Sequence, residues 1–320
     1  MPAIDMPLPA LLEYSGRNPR PADHDAYWDR ALREMRSVES RVELRPADFQ
    51  VAFAECFHLT FTGTRGARVH AKYVRPRHQA GAGPAVLLFH GYSGSSPEWC
   101  DLLRWPAGGV CVAAMDCRGQ GGRSEDVGGV KGSTWHGHIV RGLDSQSPDD
   151  LLFRQIFLDT AQLAGIVMGF SEVDPRRMGA LGGSQGGALT LACAALEPRI
   201  RRAAPTYPFL CDYQRVWAMD LAKSAYDELA QFFRRHDPTH ARAAHWWTTL
   251  GYIDIQHLMH RVEAQVLMGI GLMDAICPPS TQFAAYNKIT STKNTVIFPD
   301  FGHEALPGFN DQVYQFMLGL

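Results

Sequence analysis

The chain has 320 residues, a formal net charge of −2 and 46% hydrophobic content. That length holds one large α/β domain or two small ones, and so balanced a charge excludes the basic footprint of a nucleic-acid or anionic-membrane binder. No apolar run is long enough to span a bilayer, the first residues lack a signal peptide's basic and apolar regions, and the seven cysteines show no C-x-x-C spacing, so free thiols in a cytoplasmic setting are expected.

Apolar spacing predicts an amphipathic helix over 26–35, with Tyr27, Trp28, Ala31 and Leu32 on one face, inside an N-terminal helical extension of about 1–45. Alternation over 55–61 and 68–74, with 63–66 as the turn, predicts an antiparallel hairpin. Short apolar runs at 86–90, 110–115, 178–181, 266–270 and 295–298 read as buried parallel strands, 151–169 as a crossover helix and 309–318 as the last helix. This alternation predicts a single α/β domain over 1–320, a mostly parallel, doubly wound sheet with helices on both faces. Two stretches interrupt it. Residues 118–150 are rich in Gly, Ser and Asp and read as an interface or active-site loop, whereas the aromatic-rich 206–260 reads as a helical lid insertion. The pairs Arg201-Arg202 and Arg234-Arg235 read as solvated helix faces or interface ion pairs.

The chemistry concentrates at Gly182-Gly183-Ser184-Gln185-Gly186, between an apolar strand and a run of small residues. This G-x-S-x-G pattern fits a nucleophile elbow, where a strand turns sharply into a helix and exposes the serine hydroxyl. Downstream, Asp274 follows the strand at 266–270 and His303 follows the strand at 295–298, giving the order Ser, Asp, His of α/β-hydrolases. A serine hydroxyl needs His303 as general base, and Asp274 would hold the imidazole in the required tautomer. Asp300, three residues before His303, is the rival acid, but it shares the histidine's loop, and Glu304 reads as a loop anchor. For the oxyanion, the amides of Gln185 and of Tyr92, in the loop after strand 86–90, are the expected donors. Tyr92, Trp105 and Ile276 are expected pocket walls, and His90 a structural histidine at the strand end. The pairs His236/His240, His257/His260 and His136/His138 lack the glutamate of an H-E-x-x-H site, so neither a metal nor another cofactor is expected.

Together, Arg118-Gly119-Gln120, the Ser184 elbow and His303-Glu304 resemble the R-G-Q, G-x-S-Q-G and H-E signatures of carbohydrate esterase family 7. Those enzymes are the acetyl xylan esterases and cephalosporin C deacetylases. Residues 271–287 are similar to the family's acid-loop segment and 208–211 to its lid entrance. The resemblance implies an α/β-hydrolase that removes acetyl groups from xylo-oligosaccharides and cephalosporin-type acetates, assembled as a homohexamer. It assigns Ser184, Asp274 and His303 to the triad, Tyr92 and Gln185 to the oxyanion hole, and makes Arg118 and Gln120 structural supports. The chain departs from the family wording over 128–150 and lacks the proline expected within 221–229. A peptidase or lipase on the same triad, or a binding module on the same fold, are the competing readings.

Overall fold

A computed structural model describes residues 4–126 and 136–320. Among them a sheet of nine strands runs in the order β1-β2-β3-β5-β4-β6-β7-β8-β9. Its strands are β1 (Glu43–Pro46), β2 (Ala54–Thr62), β3 (Arg68–Pro76), β4 (Gly83–Phe89), β5 (Cys111–Met115), β6 (Val173–Gly183), β7 (Ile200–Thr206), β8 (Gln265–Gly271) and β9 (Lys293–Phe298). The first three pair antiparallel, and β3 joins β5 antiparallel. From β5 to β9 every pairing is parallel.

Helices cover both faces. The larger core holds α1 (Leu8–Glu13), α2 (His24–Ser37), α5 (Leu152–Met168), α6 (Gln185–Leu196) and α10 (Pro279–Lys288). It also takes α7 (Tyr213–Ala218), α8 (Asp227–His236) and α9 (Ala243–Leu250), the helices between β7 and β8. The opposite face carries α3 (Trp99–Leu102), α4 (Arg104–Ala107) and α11 (Phe309–Leu318). The side-chain period of two decides the split. On β4, Ala85, Leu87 and Phe89 enter the first core while Val86 and Leu88 face the second, so central strands read as continuous apolar runs.

The hairpin, the parallel strands and the helices expected at 26–35, 151–169 and 309–318 are all present, and Tyr27, Trp28, Ala31 and Leu32 are buried on α2. Two strands were not expected, β1 inside the N-terminal extension and β7, nor were the short helices α3 and α4. β7 corrects the reading of Arg201-Arg202 as a helix face. Arg202 lies on β7, where its guanidinium sits 5.0 Å over the Phe316 ring and donates to the Phe316 carbonyl. Arg234 and Arg235 are exposed on α8. Of the irregular stretch expected at 118–150, residues 127–135 fall outside the described residues.

Candidate active site

Ser184 joins β6 to α6 with φ +58° and ψ −121°, a region that residues other than glycine rarely occupy and that costs about 1–3 kcal/mol. Its amide donates to the Thr206 carbonyl at 3.0 Å, and its carbonyl accepts from Ala188 and Phe209 at 3.1 and 3.0 Å. The flanking glycines are required by close approach. A Cβ on Gly182 would lie 2.5 Å from the Phe89 oxygen, and one on Gly186 would overlap that same atom. The strain is therefore held by backbone contacts on both sides of the turn.

Asp274 leaves the end of β8 and is fully buried. Its Oδ1 accepts from the amides of Ile276 and Cys277, each at 2.8 Å. Its Oδ2 accepts from His303 Nδ1 at 2.8 Å and from Gln282 Nε2 at 3.4 Å. With Nδ1 committed as a donor, Nε2 of the neutral ring is left as the acceptor. Asp300 is exposed, and Glu304 accepts from the Gly302 amide at 3.0 Å, so the rival acid is not the histidine's partner. The Cys277 thiol lies beside the Ser184 hydroxyl and this pair, ligand-type atoms of Cys277, Asp274 and His303 lying within 4.8 Å of one another. Burial raises the Cys277 thiol well above its ordinary pKa, which keeps it protonated and a poor nucleophile beside the serine.

Tyr92 follows β4 and Gln185 opens α6. Among the described residues neither backbone amide donates a hydrogen bond, leaving both available to an incoming oxygen. Gln185 is fixed by a reciprocal amide pair with Gln120, at 2.7 and 3.0 Å. Arg118 makes a buried two-point ion pair with Asp159 of α5, at 2.5 and 2.6 Å, and donates to the Thr64 carbonyl at 2.9 Å. His90 accepts from the Cys117 amide at 3.0 Å through Nε2 and places Nδ1 2.7 Å from the Gly91 carbonyl. Those contacts anchor the start of the Tyr92 loop.

Trp105 is a correction: it is not a pocket wall. The ring is fully buried in the second core, 5.2 Å from the Tyr314 ring under α11, because α4 turns it toward the sheet face opposite the elbow helix. Ile276 stands half-buried beside the acid. Tyr207 was missed; its ring lies 4.5 Å from the His303 ring, and nothing in the sequence but its place at the end of an unrecognised strand marked it. A cavity of about 560 Å³ opens next to the elbow at the ends of β4, β6 and β7, lined by Phe89, Gly183 and Tyr207 and by the polar Asp101, Arg104 and Glu304.

Five of the six histidines weighed as metal ligands have other contacts. His236 and His240 stack on Phe232 and Phe233, His257 meets the Asn18 carbonyl, His260 pairs with Asp25, and His138 meets the Gly119 carbonyl. The cluster Asp274, Cys277 and His303 has metal-ligand chemistry, but its histidine is already bonded to its aspartate.

Nine strands in this order, a serine at the β6–α6 turn and a histidine bound to an acid beyond β8 define an α/β-hydrolase of the serine-hydrolase kind. Residues 1–320 all match the model of the acetyl xylan esterase (AXE1) family, and the chain belongs to that family. It is 58% identical to acetyl xylan esterase 1 of a Thermoanaerobacterium species, with a TM-score of 0.95 over 98% of this chain and 99% of that one. An acetyl xylan esterase from a Paenibacillus species is 34% identical, with a TM-score of 0.88 over 98% and 99% of the two chains. A curated relative, acetyl esterase Axe7A of Xylanibacter ruminicola, is 25% identical over 91% of this chain, which spans 65% of that protein's length.

Proposed function

We propose that the protein deacetylates short acetylated xylo-oligosaccharides and small acetates of the cephalosporin C kind through an acetyl-enzyme. The observation that carries this reading is the 2.8 Å bond from His303 Nδ1 to a buried Asp274, set beside a serine held at positive φ. Ser184 Oγ attacks the acetyl carbonyl as His303 Nε2 takes its proton, and the Tyr92 and Gln185 amides receive the oxyanion. His303 returns the proton to the departing sugar oxygen. Water, deprotonated by the same nitrogen, then attacks the acetyl carbon and releases acetate and the free serine. Two solved relatives are named acetyl xylan esterases, which supports the acetyl and xylan parts of the reading.

A homohexamer and a cytoplasmic location belong to the same proposal. They rest on the family resemblance and on free thiols at all seven cysteines, six of them buried. Among the described residues no helix is long and apolar enough to cross a membrane. The test is acetate release from acetylated xylo-oligosaccharides and cephalosporin C, beside hydrolysis of an octanoyl ester. Turnover of both acetates, with the octanoyl ester at least about tenfold slower, supports a narrow acyl site. A preference for octanoate, or release of amine from a peptide amide instead, overturns it.

A further inference from the structure

We propose that Glu228 is a positioning residue for the oxyanion hole, its carboxylate clamping the Tyr92 loop to the lid helix α8 and to residues 138–140. The proposal rests on the assignment of the Tyr92 amide given above. Glu228 is 7% exposed. One of its oxygens accepts from the Tyr92 hydroxyl, and the other from the amides of Ile139 and Val140 at 2.7 and 3.1 Å. The Tyr92 oxygen in turn accepts from the His138 amide at 3.3 Å. One buried carboxylate thus joins three segments that are distant in sequence.

His90 holds the start of the Tyr92 loop and the Gly121 amide, donating to the Gly94 carbonyl at 2.9 Å, holds its end; the Tyr92 side chain adds a hold at its middle. The loop is a tight turn closed by a 3.1 Å bond from the Gly94 amide to the Gly91 carbonyl, with Ser93 at φ +58°. The Tyr92 ring is its one large anchor, packed 5.3 Å from the His138 ring and 5.5 Å from Phe209. Fixing the hydroxyl fixes the ring, and with it the peptide plane that aims the amide. A tilt of that plane weakens a hydrogen bond needed most in the transition state, so kcat suffers and ground-state binding does not. A stability role alone is a poor explanation, because an apolar side chain fills such a site without the desolvation cost of a carboxylate.

The clamp suits the ionised form, which only accepts, and it faces three donors. Burial pushes the Glu228 carboxyl up to about 7, against the hydrogen bonds from Tyr92, Val140 and Ile139, and Asp227 on the same helix adds to the rise. Tyr213 faces it from α7, and His136, Arg235 and His236 line the adjacent cavity of about 380 Å³. Protonation puts a hydrogen where an acceptor is needed, so the clamp weakens as pH falls through the neutral range.

The experiment compares wild type, E228Q, Y92F and E228Q/Y92F in kcat and KM for p-nitrophenyl acetate, with melting curves for each. E228Q keeps an acceptor for the Ile139 and Val140 amides but faces the tyrosine with a donor. Each single variant should lose about tenfold in kcat, with KM within about twofold, and the double variant should be no worse than the singles. The ratio of wild-type to E228Q kcat should rise with pH through about 7, any limb owed to the base histidine cancelling between them. A folded E228Q at wild-type kcat, or losses that multiply in the double variant, would overturn the proposal. Should E228Q fail to fold, Y92F removes the same bond with the amide intact, and unchanged kcat there overturns it equally. S184A run alongside separates the two claims: if it retains turnover, the reading of the whole site has failed, not this clamp alone.

Discussion

Asp274→Asn is the sharpest perturbation the geometry offers. The substituted side chain keeps its oxygen for the Ile276 and Cys277 amides, each now at 2.8 Å, so the loop that follows β8 stays tied. The atom facing His303 Nδ1 at 2.8 Å changes from acceptor to donor. Two donors cannot share that contact, so the ring must carry its proton on Nε2, where it can no longer take one from Ser184. Loss of the working tautomer in a comparable triad lowers kcat about 10⁴-fold, equivalent to about 5.5 kcal/mol of barrier. Stability should fall by only about 1–3 kcal/mol, since the Ile276 and Cys277 bonds remain, the turned imidazole accepts from the new amide, and only the Gln282 contact is left donor against donor. Initial rates on p-nitrophenyl acetate give the first number and urea unfolding the second. Asp300→Asn, at an exposed carboxylate, is the matched control and should stay within about twofold of wild type. A D274N enzyme within tenfold of wild type, or a damaging D300N, would refute the assignment of the acid.

Arg118→Ala leaves the buried Asp159 carboxylate unpaired and should cost about 3–5 kcal/mol in denaturant unfolding, whereas R118M/D159L should recover most of that loss. Burial, reinforced by the Asp212 charge, raises the Asp254 carboxyl to about 7, above the ~3.9 of an unfolded chain. The folded state therefore holds a proton that the unfolded state releases; this contribution to stability is full below about pH 4 and lost as pH rises through about 7. D254N lacks the term, so its stability deficit against wild type should shrink between pH 5 and pH 8 in guanidinium titrations; a constant gap contradicts the account. Gly186→Ala places a methyl into the Phe89 carbonyl oxygen and should cost about a hundredfold or more in kcat by displacing the elbow. Wild-type turnover in G186A would show that the turn tolerates what the contacts forbid.

Much of this was legible because the residues concerned obey local rules. A glycine that must approach a neighbouring carbonyl, or an apolar run between turn residues, announces itself in a single sequence. Thus the strand-to-helix turn at Ser184, the carboxylate beyond β8, the histidine beyond β9 that bonds to it and the structural contacts of His90 were readable. β7 was not, because Arg201 and Arg202 interrupt it after the buried Ile200 and the core residues that follow are the small Ala203 and Ala204, which mutes its apolar signal. Tyr207 was lost with it. Trp105 was misplaced because an aromatic in a short helix can face either side of a sheet, and only packing against Tyr314 decides which. Glu228 and the thiol of Cys277 left no trace, since their partners lie far away in the chain.

The claim at the centre is that Ser184 alone is made nucleophilic, by a histidine that Asp274 holds in place. Labelling with a fluorophosphonate, followed by peptide mass mapping, tests it most directly. The account predicts one adduct per chain, on Ser184, formed far more slowly in D274N. An adduct on another residue, or an unlabelled chain that still releases acetate at full rate, would contradict it.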